Sequence, residues 1–121
     1  MQTIKAILVA LFLGVGLAGP VAAGPYEDAD AAYYKGDYTT ALRLYRPLAD
    51  KGHAFAQFSL GIMYYNGQGV PQDYVHAHMW WNLAAAKGHA NAIKNRDIIA
   101  GKMTPAQITE AQKLAREWKP K

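Results

Sequence analysis

The sequence predicts an all-α fold in which antiparallel helix-turn-helix repeats form an α/α solenoid, closed by a C-terminal capping helix. Three observations support this prediction: an internal repeat, apolar residues spaced three and four apart, and a helix-start signal near the C-terminus. The chain has 121 residues and no cysteine. Packing must therefore stabilise it without disulfides, and both thiol catalysis and cysteine-ligated zinc are excluded.

The N-terminal segment has the pattern of a secretory signal peptide. An unbroken apolar run of 12 residues at positions 6–17 suits the apolar core of a signal, whereas a membrane-spanning helix needs about 20 residues. Val21 and Ala23 are the small residues expected before a cleavage site, so we predict a cut after Ala23. A retained membrane anchor is the alternative. We therefore assign residues 1–23 to the signal peptide and residues 24–121 to one domain. We expect this domain to be periplasmic or secreted.

The rest of the chain repeats itself with a period of 36 residues. The sequence KGHAFA at residues 51–56 recurs as KGHANA at residues 87–92. Tyrosine and glycine positions upstream recur at an offset of only 31, which places a five-residue insertion at residues 68–72. We therefore predict a longer loop inside the second unit. The predicted boundaries are about 28–53 for unit one, about 54–89 for unit two, and about 90–118 for a half repeat with the capping helix.

Apolar residues within each unit follow helical spacing, which predicts two helices per unit. Small residues let the helices approach closely, and aromatic residues fill the remaining volume. Pro71 suits a first helical turn, and Asp73 places a carboxylate where a helix start favours it. The residues predicted to serve packing and turns are Gly36, Ala41, Gly52, Gly61, Tyr64, Gly67, Gly69, Ala77, Trp80, Trp81, Ala84, Ala85 and Gly88.

The C-terminal helix carries its own start signal. Thr104 is the predicted N-cap, Pro105 occupies the first helical position, and Gln107 completes a capping box. Met103 and Ile108 are spaced as a hydrophobic staple across this start. A repeat stack needs such a terminal helix with a polar outer side.

Several of these motifs together resemble one repeat family. They are LGIMY at residues 60–64, GQGV at residues 67–70, and the alanine, tryptophan and glycine positions between residues 77 and 88. They resemble the Sel-1-like repeat family, a relative of the tetratricopeptide repeats. Unit one departs from the pattern, because it lacks the GxGV loop and has Leu44 where unit two has Trp80.

The resemblance implies an adaptor or scaffold in which the first helix of each unit lines a concave face. Aromatic side chains flanked by polar groups suit an unidentified protein or peptide partner. For each residue, packing against the next helix is the alternative. The residues of the predicted concave face are Tyr34, Lys35, Phe55, Phe58, Ser59, Ile62, Tyr65 and Asn66.

Catalytic and metal-binding motifs are missing from the sequence. His76 and His78 are two apart, so they point in different directions on a helix. His53 and His89 follow glycines at equivalent repeat positions, which indicates a role in the turns. No phosphate loop, dinucleotide fingerprint or Gly-x-Ser-x-Gly is present. We predict no enzyme activity, no metal and no cofactor, with an envelope hydrolase as the alternative.

Charge is distributed unevenly along the chain. Residues 24–86 contain six acidic and four basic side chains, whereas residues 87–121 contain three acidic and eight basic ones. The basic C-terminal third has two interpretations: a solvated helix surface, or a weak contact with an anionic membrane or acidic envelope polymer. We predict no nucleic-acid partner, because the protein is expected to be exported.

Overall fold

Six α-helices make up the structure, a computed structural model that describes residues 24–121. No strand occurs among these residues, so the predicted all-α repeat fold is confirmed. The predicted signal peptide, residues 1–23, lies outside the described residues. The helices are α1 (Pro25–Tyr34), α2 (Tyr38–Asp50), α3 (Ala54–Asn66), α4 (Tyr74–Ala85), α5 (Ala90–Ala100) and α6 (Pro105–Glu117).

The helices pack as consecutive pairs. Within the pairs α1 contacts α2 and α3 contacts α4, while α2 against α3 and α4 against α5 join one pair to the next. The last two helices differ, because α5 and α6 both pack mainly against α4 rather than against each other. Helix α6 therefore closes the stack by covering α4.

Glycines end the second helix of each pair. Gly52 follows α2 with a φ of 98°, and Gly88 follows α4 with a φ of 86°. Residues with a side chain rarely adopt this left-handed backbone, whereas glycine does so without steric cost. The repeated glycine is therefore explained by the turn that each repeat must make.

The histidine that follows each of these glycines starts the next helix. The Nδ1 atom of His53 accepts a hydrogen bond from the backbone N–H of Ala56 at 3.1 Å, and that of His89 accepts one from Ala92 at 3.2 Å. Each imidazole thus satisfies one of the free N–H groups at a helix N-terminus. The predicted role of both histidines in the turns is confirmed.

Carboxylate and hydroxyl caps start α2, α4 and α6, whereas α1 begins after Gly24, which has no side chain to act as a cap. Asp73 accepts from the backbone N–H of His76 at 3.1 Å, so α4 begins at Tyr74. The prediction that Pro71 lies in the first turn is wrong, because the cap at Asp73 leaves Pro71 in the preceding loop.

The predicted capping box at α6 is confirmed. Thr104 Oγ1 accepts from the Gln107 backbone N–H at 3.1 Å, and Gln107 Oε1 accepts from the Thr104 N–H at 2.9 Å. Met103, just before this cap, is buried, and Ile108 packs against the same core cluster. The box and the apolar contact together fix the angle at which α6 leaves its loop.

Two apolar clusters form the core, and alanine dominates both. This composition lets neighbouring helices approach closely, while a few large side chains fill the gaps between them. The first cluster contains Ala29, Ala32, Ala41, Tyr45, Ala49, Ala56, Leu60, Met63, Met79 and Trp80. The second contains Ala77, Trp81, Ala84, Ala92, Ile99, Met103 and Ala111.

Gly61 makes the closest approach between helices in the second unit. A Cβ atom added there would overlap the indole ring of Trp81, so only glycine leaves room for this ring. The indole Nε1–H then donates to the backbone carbonyl of Phe58 at 3.1 Å. The small residue predicted at this position thus accommodates a side chain of α4 rather than its backbone.

The C-terminal segment returns to the second helix after α6. The backbone N–H of Lys121 donates to the carbonyl oxygen of Asp50 at 2.8 Å. The last residues therefore pack against the end of α2.

Across residues 24–121, every helix is too short or too polar to cross a membrane.

Candidate functional site

Two clefts lie along the first helices of the pairs, and the first is found where α1, α3 and the start of α5 face one another. Its volume is about 190 Å³. Tyr26, Asp30 and Tyr33 on α1 line this cleft at spacings of four and three residues, as expected for one face of a helix. The lining residues are Tyr26, Asp30, Tyr33, Tyr34, Tyr45, Phe55, Phe58, Ser59, Ile62, His89 and Asn91.

Aromatic rings form most of the wall of this first cleft. The ring of His89 stacks on Phe58 with centroids 4.4 Å apart, and Phe55 contacts the same imidazole edge-on at 4.8 Å. Across from them, the ring of Tyr26 lies 6.1 Å from Phe55 and 5.9 Å from Tyr45. These contacts hold the aromatic side chains of three helices against one another.

One carboxylate lies among these rings. Asp30 accepts a hydrogen bond from the hydroxyl of Tyr45, a side chain that reaches the cleft from α2. Burial, followed by this hydrogen bond to Asp30, raises the pKa of Tyr45. Burial, followed by the charge of Asp30, also raises the pKa of Tyr26. Both phenols are therefore neutral at neutral pH.

The second cleft lies between α3, α4 and α5 and has a volume of about 260 Å³. A cation lies at its edge, because Lys102 Nζ donates to the hydroxyl of Tyr65 at 2.8 Å. That hydrogen bond raises the pKa of Lys102 and keeps it charged. The lining residues are Ile62, Tyr65, Asn66, Trp81, Asn95, Ile98 and Ile99.

The structure distributes the predicted concave-face residues over both clefts. Ile62 lines both, and Lys35 lines neither, since it follows the last turn of α1 and is exposed. The first cleft receives Tyr34, Phe55, Phe58 and Ser59. The second cleft receives Tyr65 and Asn66.

Three of these residues also serve the core. Phe58, Ile62 and Tyr65 are half-buried and pack against the second core cluster. These side chains therefore line the clefts and pack against the core at the same time.

Sequence reasoning missed part of each lining. Tyr26, Asp30 and Tyr33 lie at helical spacing on α1, so their common face with Tyr34 could have been read from the sequence. The same spacing relates Asn91, Asn95 and Ile98 on α5. Tyr45 gave no such signal, because it enters from α2.

The large apolar side chains exposed on residues 24–121 all lie on the first helix of a pair. Tyr34 on α1 is 83% exposed, Phe55 on α3 is 56% exposed and Ile98 on α5 is 54% exposed. Each of these three lines a cleft. The fourth, Ile93, also lies on α5 but lines neither cleft. Three of the four thus mark one apolar groove, which we define as the two clefts together.

No metal site forms within the part of the chain that the structure describes, where no group of three or more histidine, cysteine or acidic side chains comes together. His76 Nδ1 lies 2.7 Å from Asp73 and its ring stacks on Tyr64. His78 is buried, and that burial, assisted by Arg96, lowers its pKa. The two histidines point apart, as their spacing predicts.

Helical pairs with an apolar groove define a helical-repeat protein of the α/α-solenoid class. The Sel1 repeat family matches the chain at residues 26–53 and 54–89, so the chain belongs to this family. Sel1 repeats are typically protein–protein interaction modules.

One curated relative shares part of this array. Residues of the chain are 45% identical over 49 positions to the uncharacterized protein NMB1327 of Neisseria meningitidis serogroup B, strain ATCC BAA-335 / MC58. The match covers 37% of this chain and 10% of that relative. The chain therefore spans about a tenth of the length of the relative that it matches.

Proposed function

We propose that this protein is a non-catalytic adaptor that binds a segment of a partner protein in the groove formed by α1, α3 and α5. The observation that carries this proposal is the exposure of Tyr34, Phe55 and Ile98 at the two clefts. Exposed apolar side chains rimmed by polar groups are typical of protein interfaces.

The proposal of a non-catalytic role is supported by the chemistry of the first cleft. Ser59 and His89 both line it, as a nucleophile and a base would. However, Nδ1 of His89 is occupied by the backbone N–H of Ala92, and its ring is stacked on Phe58. The imidazole is therefore engaged in capping α5 and in the aromatic wall of the cleft.

We also propose that the protein acts in the periplasm or outside the cell. Support comes from the signal-like pattern of residues 1–23. Fractionation of cells that express the full chain tests this. Recovery of a cleaved form in the periplasm or medium is expected, and full-length chain in the cytoplasm would contradict it.

Site-specific photocrosslinking in the native host tests the groove. A photoreactive amino acid is placed at Phe55 or Ile98, with Ile93 as the matched control because it is an exposed apolar residue outside both clefts. We expect the first two positions to crosslink to the same partner and Ile93 to give much less product. Equal crosslinking at all three positions would count against the groove.

A further inference from the structure

The first cleft combines features that recognise a cation. Its wall is aromatic, and Asp30 is its carboxylate. Positive groups are attracted to the faces of aromatic rings within about 6 Å and form strong hydrogen bonds with carboxylates. Asp30 and the rings of Tyr26, Phe55 and Phe58 line one cleft, so a single bound group can contact both kinds of partner.

Within residues 24–121, Asp30 has no partner of fixed positive charge in this cleft, where His89 caps α5 and stacks on Phe58. Among the described residues, no lysine or arginine lines the cleft, and Asp30 forms no salt bridge with any such residue of 24–121. The neighbouring hydroxyl of Tyr45 donates one hydrogen bond to Asp30 but brings no charge. A half-buried carboxylate with this environment is stabilised by a cation that arrives from outside.

The size of the cleft indicates what kind of cation fits. Its volume of about 190 Å³ is below the roughly 300–1,000 Å³ of typical small-molecule sites. One long side chain is a better match than a drug-sized ligand. The second cleft would repel the same group, since Lys102 stands at its edge.

We propose that the first cleft binds the arginine or lysine side chain of the partner segment, with Asp30 pairing with its charge and the surrounding rings contacting its apolar stem and cationic head. This inference rests on the proposed function, because it names the residue that the groove selects. It assigns the two clefts different roles: the first selects a basic residue, and the second accepts an apolar or neutral one.

A peptide titration tests this proposal on the full-length protein. The probes are acetyl-Ala-Arg-Ala-amide, the same peptide with lysine, and the same peptide with citrulline, which keeps the shape of arginine without its charge. Binding is followed by NMR shifts of the backbone amides of Phe55, Phe58 and His89. We expect the arginine or lysine peptide to bind at least about tenfold more tightly than the citrulline peptide.

Two variants make the test specific. Asp30→Asn removes the charge in the cleft, whereas Asp28→Asn removes an exposed carboxylate of the same helix that lines neither cleft. Asp30→Asn is expected to abolish the preference for the basic peptides, and Asp28→Asn to retain it. Circular dichroism establishes that both variants are folded. Equal binding of the arginine and citrulline peptides, or equal effects of the two variants, would overturn the proposal.

The peptide experiment tests the basic-residue assignment and the crosslinking experiment tests the groove, so each proposal can be overturned separately. If crosslinks form at Phe55 and Ile98 while the basic peptides show no preference, the groove stands and the basic-residue assignment is overturned. If the basic peptides bind through Asp30 while crosslinks at both positions are absent, the groove is overturned, and with it the assignment of this cation to a partner segment.

Discussion

Gly61 shows at the scale of one residue how this array accommodates its large side chains. The buried core is rich in alanine and leaves narrow gaps between the helices, and the indole of Trp81 occupies the gap beside Gly61. The indole is held there by its hydrogen bond to the carbonyl of Phe58. A protein interior this dense has little freedom to relax around an added methyl group.

We expect Gly61→Ala to destabilise the protein by about 1–3 kcal/mol, the usual cost of overpacking a core. The gain in helix propensity from alanine, about 1 kcal/mol at most, offsets only part of this. The free energy of unfolding from urea denaturation measures the effect. Gly101→Ala is the matched control, because Gly101 has a φ of −68° at the exposed end of α5, and its effect should be smaller. Equal effects of both substitutions would contradict the steric explanation.

At the scale of single residues, the sequence indicates which positions pack between helices but not which side chains they contact. Gly61 was expected among the small residues that let helices approach, but the group it faces depends on the rotation of α4 about its axis. Pro71 suits a first helical turn, but α4 starts three residues later because Asp73 is its N-cap.

The capping residues act at the scale of the element. Asp73 caps α4, and its carboxylate also lies 2.7 Å from the ring of His76. Partial burial opposes ionisation of Asp73, but the hydrogen bonds from His76 outweigh it and lower its pKa. Folding therefore favours the ionised form of this carboxyl.

This shift predicts a dependence of stability on pH. The pKa of Asp73 is lower in the folded chain than in the unfolded chain, where it is about 4. The stability that its ionised carboxylate contributes is therefore complete above the unfolded pKa and is lost as the pH falls through the folded pKa. We expect Asp73→Asn to be less stable than the parent protein at about pH 6, with a difference that narrows at about pH 2.5. Urea denaturation at both pH values measures this. Glu110→Gln, which alters an exposed side chain of α6, is the control, and a difference for Asp73→Asn that grows in acid would contradict the prediction.

The histidine cap at the start of α3 is expected to stabilise the protein. His53→Ala removes the acceptor at the start of α3 and is expected to destabilise the protein by about 0.5–2 kcal/mol. His53→Asn supplies an alternative acceptor and should recover much of this loss. Both variants lose the stacking of His53 on Tyr26, so the difference between their free energies of unfolding isolates the cap. Equal stability of the two variants would show that stacking, not capping, explains the histidine.

Helix α6 matters at the scale of the whole molecule. It buries Ala111 in the second core cluster, and Met103 before it is buried in the same cluster. Leu114 and Ala115 pack against the first cluster. Without α6, one side of α4 would expose the apolar surface that a terminal helix must cover in a repeat stack.

We expect a chain that ends at residue 101 to have a lower urea midpoint and to expose apolar surface that binds a hydrophobic dye. A chain that ends at residue 118 is the matched control, because it keeps α6 and loses only the contacts of Lys121 with Asp50. This shorter truncation should change the midpoint little. If ending the chain at residue 101 leaves the midpoint unchanged, α6 does not stabilise the stack.

The sequence by itself determined the features that depend on neighbouring residues. The repeat, the capping box at Thr104, the role of His53 and His89 in the turns, and the glycine turns can be read locally, because each cap or turn involves residues a few positions apart. The basic C-terminal third and the signal peptide are also local patterns, and both stay predictions.

Only the tertiary structure decided the composition of the clefts. Asp30, Tyr45 and His89 are far apart in the sequence, and they meet because successive pairs stack and rotate α1, α2 and α5 toward one space. The angle between stacked helices depends on how alanine, glycine and tryptophan side chains fit together, and that fit is a property of the whole core. The resemblance therefore predicted a groove on the first helices and part of its aromatic wall, whereas packing decided which of these rings share one cleft with Tyr45 and His89.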